Sequence, residues 1–177
     1  MAHGKYSKLL EEQICKFTGA KYSTTVSNCT AGLHLSCIAA GFGPGDEVIV
    51  PAQTHTATSH AVEYTGAKAV FADVDPLTGN ISIKDIENKL SKKTKGIIPV
   101  HMAGIPCQMK EITKIVDGNE LLLIEDCAHA IGTTIDNQHV GNSGISGCFS
   151  FYPTKQITTG EGGIVIANDK KIIDKIK

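Results

Sequence analysis

One lysine in this chain sits in a setting unlike that of an ordinary surface cation. Lys155 lies in Phe149-Ser150-Phe151-Tyr152-Pro153-Thr154-Lys155-Gln156, and the loop continues through Thr158-Thr159-Gly160-Glu161-Gly162-Gly163. A lysine desolvated near cationic or apolar neighbours loses pKa and becomes a nucleophile toward aldehydes. The glycines allow close backbone approach to a flat ligand. Asp126 follows the apolar Leu121-Leu122-Leu123-Ile124. A carboxylate at the end of a buried strand needs a partner, because an unpaired buried charge is costly. A protonated pyridine nitrogen is one such partner, and the pairing makes the ring an electron sink. Taken alone, Asp126 is better read as a cap of the next element or a backbone acceptor. His129, three residues on, either bonds a ring oxygen of the same ligand or is a partly exposed histidine.

Two further segments could complete such a site. In Ser27-Asn28-Cys29-Thr30-Ala31-Gly32 a strand gives way to a helix. Free N–H groups there, with the Thr30 hydroxyl beside them, suit a phosphate; the plainer reading is a helix cap by Ser27, Asn28 or Thr30. In Pro51-Ala52-Gln53-Thr54-His55-Thr56-Ala57-Thr58, His55 could lie flat against an aromatic ring. His101, in Val100-His101-Met102-Ala103-Gly104, reads as a structural histidine near the site.

The elements that would position these residues alternate. Helices are expected at 5–17, 30–40, 56–64, 83–90 and 109–116. Strands are expected at 22–26, 47–51, 69–74, 96–100, 121–125, 148–151 and 163–167. Short apolar strands separated by helices argue an α/β fold of three layers, a mostly parallel sheet with helices on both faces. Ligands of such sheets bind outside the carboxyl ends of the strands, where all four segments fall. No repeat, low-complexity tract or linker divides the chain, which reads as a single domain over 1–177. Its last residues, Asp169–Lys177, read as the opening of a helix that stops abruptly, as in a shortened chain.

Composition narrows the partners. All 17 basic residues are lysines, so a bound phosphate must rely on backbone N–H groups, hydroxyls or lysine. A net charge of −1 gives no reason to expect nucleic acid or an anionic membrane surface. No apolar run reaches the roughly 18 residues of a membrane span, and the N-terminus lacks a signal-peptide stretch. Six cysteines without a C-x-x-C pair point to reduced thiols in a cytoplasmic protein, and to no metal site.

The motifs S-N-C-T-A-G-L, G-P-G-D-E-V-I-V-P, V-D-V-D-P, P-V-H-M-A-G, E-D-C-A-H-A-I-G and F-S-F-Y-P-T-K-Q-I-T-T-G-E-G-G occur in this order. Together they resemble the DegT/StrS family of sugar aminotransferases, and the match covers nearly the whole chain. The resemblance implies the large domain of the aspartate-aminotransferase fold and the cofactor pyridoxal 5'-phosphate (PLP), with its pyridoxamine form as the carrier of the amine. It implies that Lys155 is the Schiff-base lysine and proton-transfer base, and that Asp126 pairs with the pyridine nitrogen. Thr30, the Ala31 backbone and Ser150 match phosphate-binding positions, and His129 matches the residue near the ring hydroxyl. His55 matches the position stacked on the ring, where the family usually carries tryptophan, tyrosine or phenylalanine.

The implied reaction is transfer of an amine from an amino acid such as glutamate to a nucleotide-linked keto sugar, a 4-keto-6-deoxy sugar above all. The family acts as homodimers with shared sites and is about twice as long, adding a smaller C-terminal domain; this chain alone is then expected to be inactive. A dehydratase of the same family, which usually carries histidine at the lysine position, is one alternative. A different PLP enzyme and a ligand-sensing or vestigial domain are the others.

Overall fold

The structure, a computed structural model, describes residues 4–177. Helix α1 (Lys5–Thr18) ends on Gly19, whose φ of 78° closes the helix in a left-handed conformation that a side chain would disfavour. Strand β1 (Tyr22–Val26) runs into α2 (Cys29–Ala40), and β2 (Glu47–Pro51) into α3 (Ala57–Glu63). Then follow β3 (Lys68–Ala72), α4 (Ile83–Lys89), β4 (Thr94–Ile97), α5 (Met109–Gly118) and β5 (Leu122–Asp126). A small hairpin, β6 (Thr134–Ile135) and β7 (Gln138–His139), precedes β8 (Ser146–Ser150), β9 (Gly163–Ala167) and α6 (Lys170–Ile176).

The seven long strands form one sheet in the order β1-β9-β8-β5-β4-β2-β3. All neighbours pair in parallel except around β9, which runs antiparallel to both β1 and β8. The sheet is therefore mostly parallel, as expected. The reversal of β9 has a consequence for the site: Gly163 lies level with both Val26 and Ser150. The loop that carries Lys155 thus leaves and re-enters the sheet at the edge where β1, β5 and β8 end.

Alternation along each strand divides the core between the two faces. Val48, Val50, Ile98, Ile124, Cys148 and Val165 pack with Leu33 and Cys37 of α2, Ala61 and Val62 of α3, and Ile173 of α6. Their neighbours Ile49, Ile97 and Leu123 face the other way, onto Ile86 of α4 and Ile112 and Ile115 of α5. Phe149, Ile164 and Ile166 complete that second face over Ile14 of α1. Each fully buried side chain of this size contributes about 1.5–3 kcal/mol.

Two departures from expectation have a clear physical reason. The run 96–100 leaves the ladder after Ile97, because Pro99 has no N–H to give it; Val100 rejoins as a lone bridge to Asp126. The β6–β7 hairpin was not expected. Its turn residues Asp136 and Asn137 adopt φ of 50° and 65°, which short polar side chains tolerate.

Five of the six cysteines are buried and all six are free. Burial pushes the Cys37 and Cys107 thiols up to about 12. No helix among the described residues is long and apolar enough to cross a membrane.

Candidate active site

The carboxyl ends of the strands open onto a cleft of about 410 Å³. Thr30, His55, Asp126, His129, Ser150 and Lys155 line it, so six of the seven residues singled out from sequence meet there. Asp126 and Lys155, 29 positions apart in the chain, share one cavity rather than opposite sides of the molecule. Ala31 is the exception. Its N–H donates to Asn28 Oδ1 at 2.8 Å, so Asn28 caps α2 and holds the amide that a phosphate was expected to meet.

Asp126 closes β5 and is 4% exposed. Ala128 N–H donates to its Oδ1 (3.1 Å) and the Thr58 hydroxyl to its Oδ2 (2.8 Å). Burial raises its pKa; these two hydrogen bonds and the nearby His129 and His101 act in the opposite direction. His129 stands three residues further, its Nδ1 accepting from Ala103 N–H at 3.4 Å. Burial and then the Lys155 ammonium hold the His129 imidazole below its ordinary pKa. Both residues line the same cleft.

The loop is tied down around Lys155 by hydrogen bonds on either side of it. Lys155 N–H donates to Tyr152 O at 3.0 Å, Thr158 Oγ1–H to Phe151 O at 2.9 Å, and the Gln156 side chain to His129 O. Ser150, 8% exposed, accepts from Tyr152 N–H at 3.3 Å. His55 Nδ1 accepts from Ala57 N–H at 3.1 Å, which holds the imidazole at the start of α3.

Glu125, the neighbour of Asp126 on β5, points to the other side of the sheet and is fully buried. Its carboxylate accepts from Gly141, Ser143 and Gly144 N–H and from His101 Nε2. Because His101 Nδ1 accepts from Cys107 N–H, the ring proton sits on Nε2 and donates to Glu125. His101 is thus structural, as read from sequence. His101, Glu125 and Cys127 bring ligand-type atoms within 4.8 Å of one another, but these hydrogen bonds already commit both histidine nitrogens and the carboxylate.

Sequence reasoning assigned no role to Thr54, Thr58 or Glu161. Thr54 and Glu161 line the cleft, and Thr58 bonds Asp126. For Thr58 the available signal was its place one helical turn after His55, which carries both side chains toward the same strand ends.

Residues 1–177 match the profile of the DegT/DnrJ/EryC1/StrS aminotransferase family. The chain is 44% identical to a GDP-perosamine synthase of Escherichia coli O157:H7 over 172 residues, covering 97% of this chain and 47% of that protein. The solved aminotransferase from Psychrobacter cryohalolentis superposes with a TM-score of 0.96 at 41% identity, over 98% of this chain and 44% of that one. DesI, solved in the presence of its TDP-sugar product, superposes at 0.93 with 35% identity, over 99% and 44%. The chain spans about half the length of the curated relatives it matches. With the family profile matched over residues 1–177 and the backbone superposing on solved members of this kind, the chain belongs to the DegT/DnrJ/EryC1/StrS aminotransferase family.

Proposed function

We propose that this chain is the cofactor-binding large domain of a PLP-dependent aminotransferase that acts on a nucleotide-linked keto sugar, with an amino acid such as glutamate as donor. The observation that carries the reading is the meeting of Asp126 and Lys155 in one cleft at the strand ends. Aminotransferases of this family are PLP-dependent, and the residues present fit that group. A nearly buried carboxylate with a raised pKa calls for a cationic N–H opposite it, which a pyridine ring offers. The Thr30 and Ser150 hydroxyls at the cleft wall suit its phosphate.

Bound there, PLP supplies a carbonyl for amines and a ring that spreads negative charge. Lys155 Nζ would hold the group through its carbonyl carbon, yield that place to the donor amine, and serve as the base that takes the proton from the donor's Cα. Asp126 keeps the ring nitrogen protonated. His129 would meet the ring oxygen, and His55 would cover the ring face. Amine transfer in two halves gives ping-pong kinetics. A lysine at position 155 favours transfer over the dehydratase alternative. The active protein is a cytoplasmic homodimer that carries a smaller second domain on further residues.

The test is an assay of the full-length dimeric protein against a panel of keto sugar nucleotides with glutamate. Amino sugar formation by the wild type and its loss in Lys155→Ala are expected. Turnover by Lys155→Ala within about tenfold of wild type would reject the assignment, since covalent catalysis of this kind contributes far more than about 1.4 kcal/mol. Borohydride reduction followed by peptide mapping should mark Lys155.

A further inference from the structure

We infer that Thr58 is a positioning residue, whose hydroxyl, itself oriented by Thr54, fixes the Asp126 carboxylate at the floor of the cleft. This rests on the proposed cofactor-binding reading. Asp126 receives one donor from its own turn, Ala128 N–H, and one from an element 68 residues away, the Thr58 hydroxyl at 2.8 Å. A threonine in the first turns of a helix usually bonds a carbonyl three or four residues back. Here that carbonyl, His55 O, lies 3.4 Å from Thr58 Oγ1, the longer of the two contacts. Thr58 has given its proton to Asp126 instead.

The direction of the chain follows from the charge. An ionised carboxylate only accepts, so Thr58 donates to it. Thr58 Oγ1 then has only lone pairs left for Thr54 Oγ1, 3.0 Å away, and Thr54 must be the donor. Two hydroxyls thus run from the cleft wall, where Thr54 sits, to a fully buried Thr58 and on to Asp126. The same helical turn carries His55, whose carbonyl accepts Thr58 N–H at 3.2 Å. The imidazole that covers the ring and the hydroxyl that orients the carboxylate are therefore set by one rigid piece of chain.

The charged and titratable groups around Asp126 are His129 on its own turn, His101 and Cys107 beyond β4, and Cys29, Cys127 and Cys148, with His55, Lys155 and Glu161 lining the same cleft. Among the hydrogen bonds on Asp126, Thr58 supplies the only side-chain donor among the described residues.

The test has two arms in the full-length protein. In the cofactor-free form, carbon-13 NMR of aspartate carboxyls should show the Asp126 midpoint move upward in Thr58→Val and return to the wild-type value in Thr58→Ser. In the second arm, PLP titration should show affinity about tenfold weaker for Thr58→Val, as expected for one hydrogen bond to a charged group, and unchanged for Thr58→Ser. An Asp126 midpoint in Thr58→Val equal to wild type overturns the proposal. Should Thr58→Val fail to fold, Thr54→Val should give a smaller upward shift, and no shift there overturns it equally. A wild-type protein that takes up no PLP sinks the functional reading instead, while the first arm still decides the role of Thr58.

Discussion

Gly163 lies with its bare α-carbon against the peptide that joins Asn28 to Cys29. A Cβ built at Gly163 would stand 2.6 Å from Asn28 C and 2.7 Å from Cys29 N, both backbone atoms that cannot swing aside. The first residue of β9 thereby seats the start of α2, the turn that brings Thr30 to the cleft. Gly163→Ala should cost about 1–3 kcal/mol by overpacking. It should also lower affinity for PLP, because the clash displaces the Thr30 side of the cleft. Thermal unfolding and PLP titration of the variant check both effects; an unchanged melting temperature would mean that α2 is not seated there.

Asp126→Asn should change how the cofactor-free protein responds to pH. Burial raises the Asp126 pKa, so the folded state holds this proton more tightly than the unfolded chain does. Its contribution to stability is fully present below the ordinary aspartate value of about 3.9 and is lost as pH rises through the raised folded value. His129 has the opposite sign: its lowered pKa removes stability as pH falls below about 6.5. Denaturant unfolding from about pH 4 to pH 7 should show Asp126→Asn gaining on the wild type as pH rises. A constant difference across that range would contradict the burial of an ionisable group at 126. In the presence of PLP the order should invert, with the asparagine variant the weaker binder.

Glu125→Ala should be the most destabilising of these changes. The substitution leaves three backbone N–H groups and the His101 Nε2 proton inside the protein without an acceptor. Removing one partner of such a buried set costs about 3–5 kcal/mol. Urea unfolding measures it, and a loss under about 1 kcal/mol would show that water or rearrangement replaces the carboxylate.

Much of this arrangement was legible in the residues. The apolar runs located the seven strands, and the glycine that ends α1 and the Asn28 region that opens α2 marked boundaries to within a residue or two. The convergence of Thr30, His55, Asp126, His129, Ser150 and Lys155 followed from each segment standing after a strand. What escaped was relational. The direction of β9 is set by its pairing with β1 and β8, while Gly163–Ala167 is buried on both faces and reads the same either way. The Thr58 bond to Asp126 joins two segments with no local mark of one another. The commitment of Ala31 N–H to Asn28 was among the open alternatives, because a cap and a phosphate compete for the same amide.

Adjacent carboxylates with opposite duties make β5 intolerant of length changes. Deleting or inserting one residue among 121–124 would rotate the strand end by half a pleat repeat. The anion that gathers the 141–144 loop would then turn toward the hollow at the strand ends, and the one that now faces that hollow would enter the loop's N–H nest. Point substitutions can thin either function separately, but a shift of register forfeits both at once, so β5 can vary in side chain and not in count.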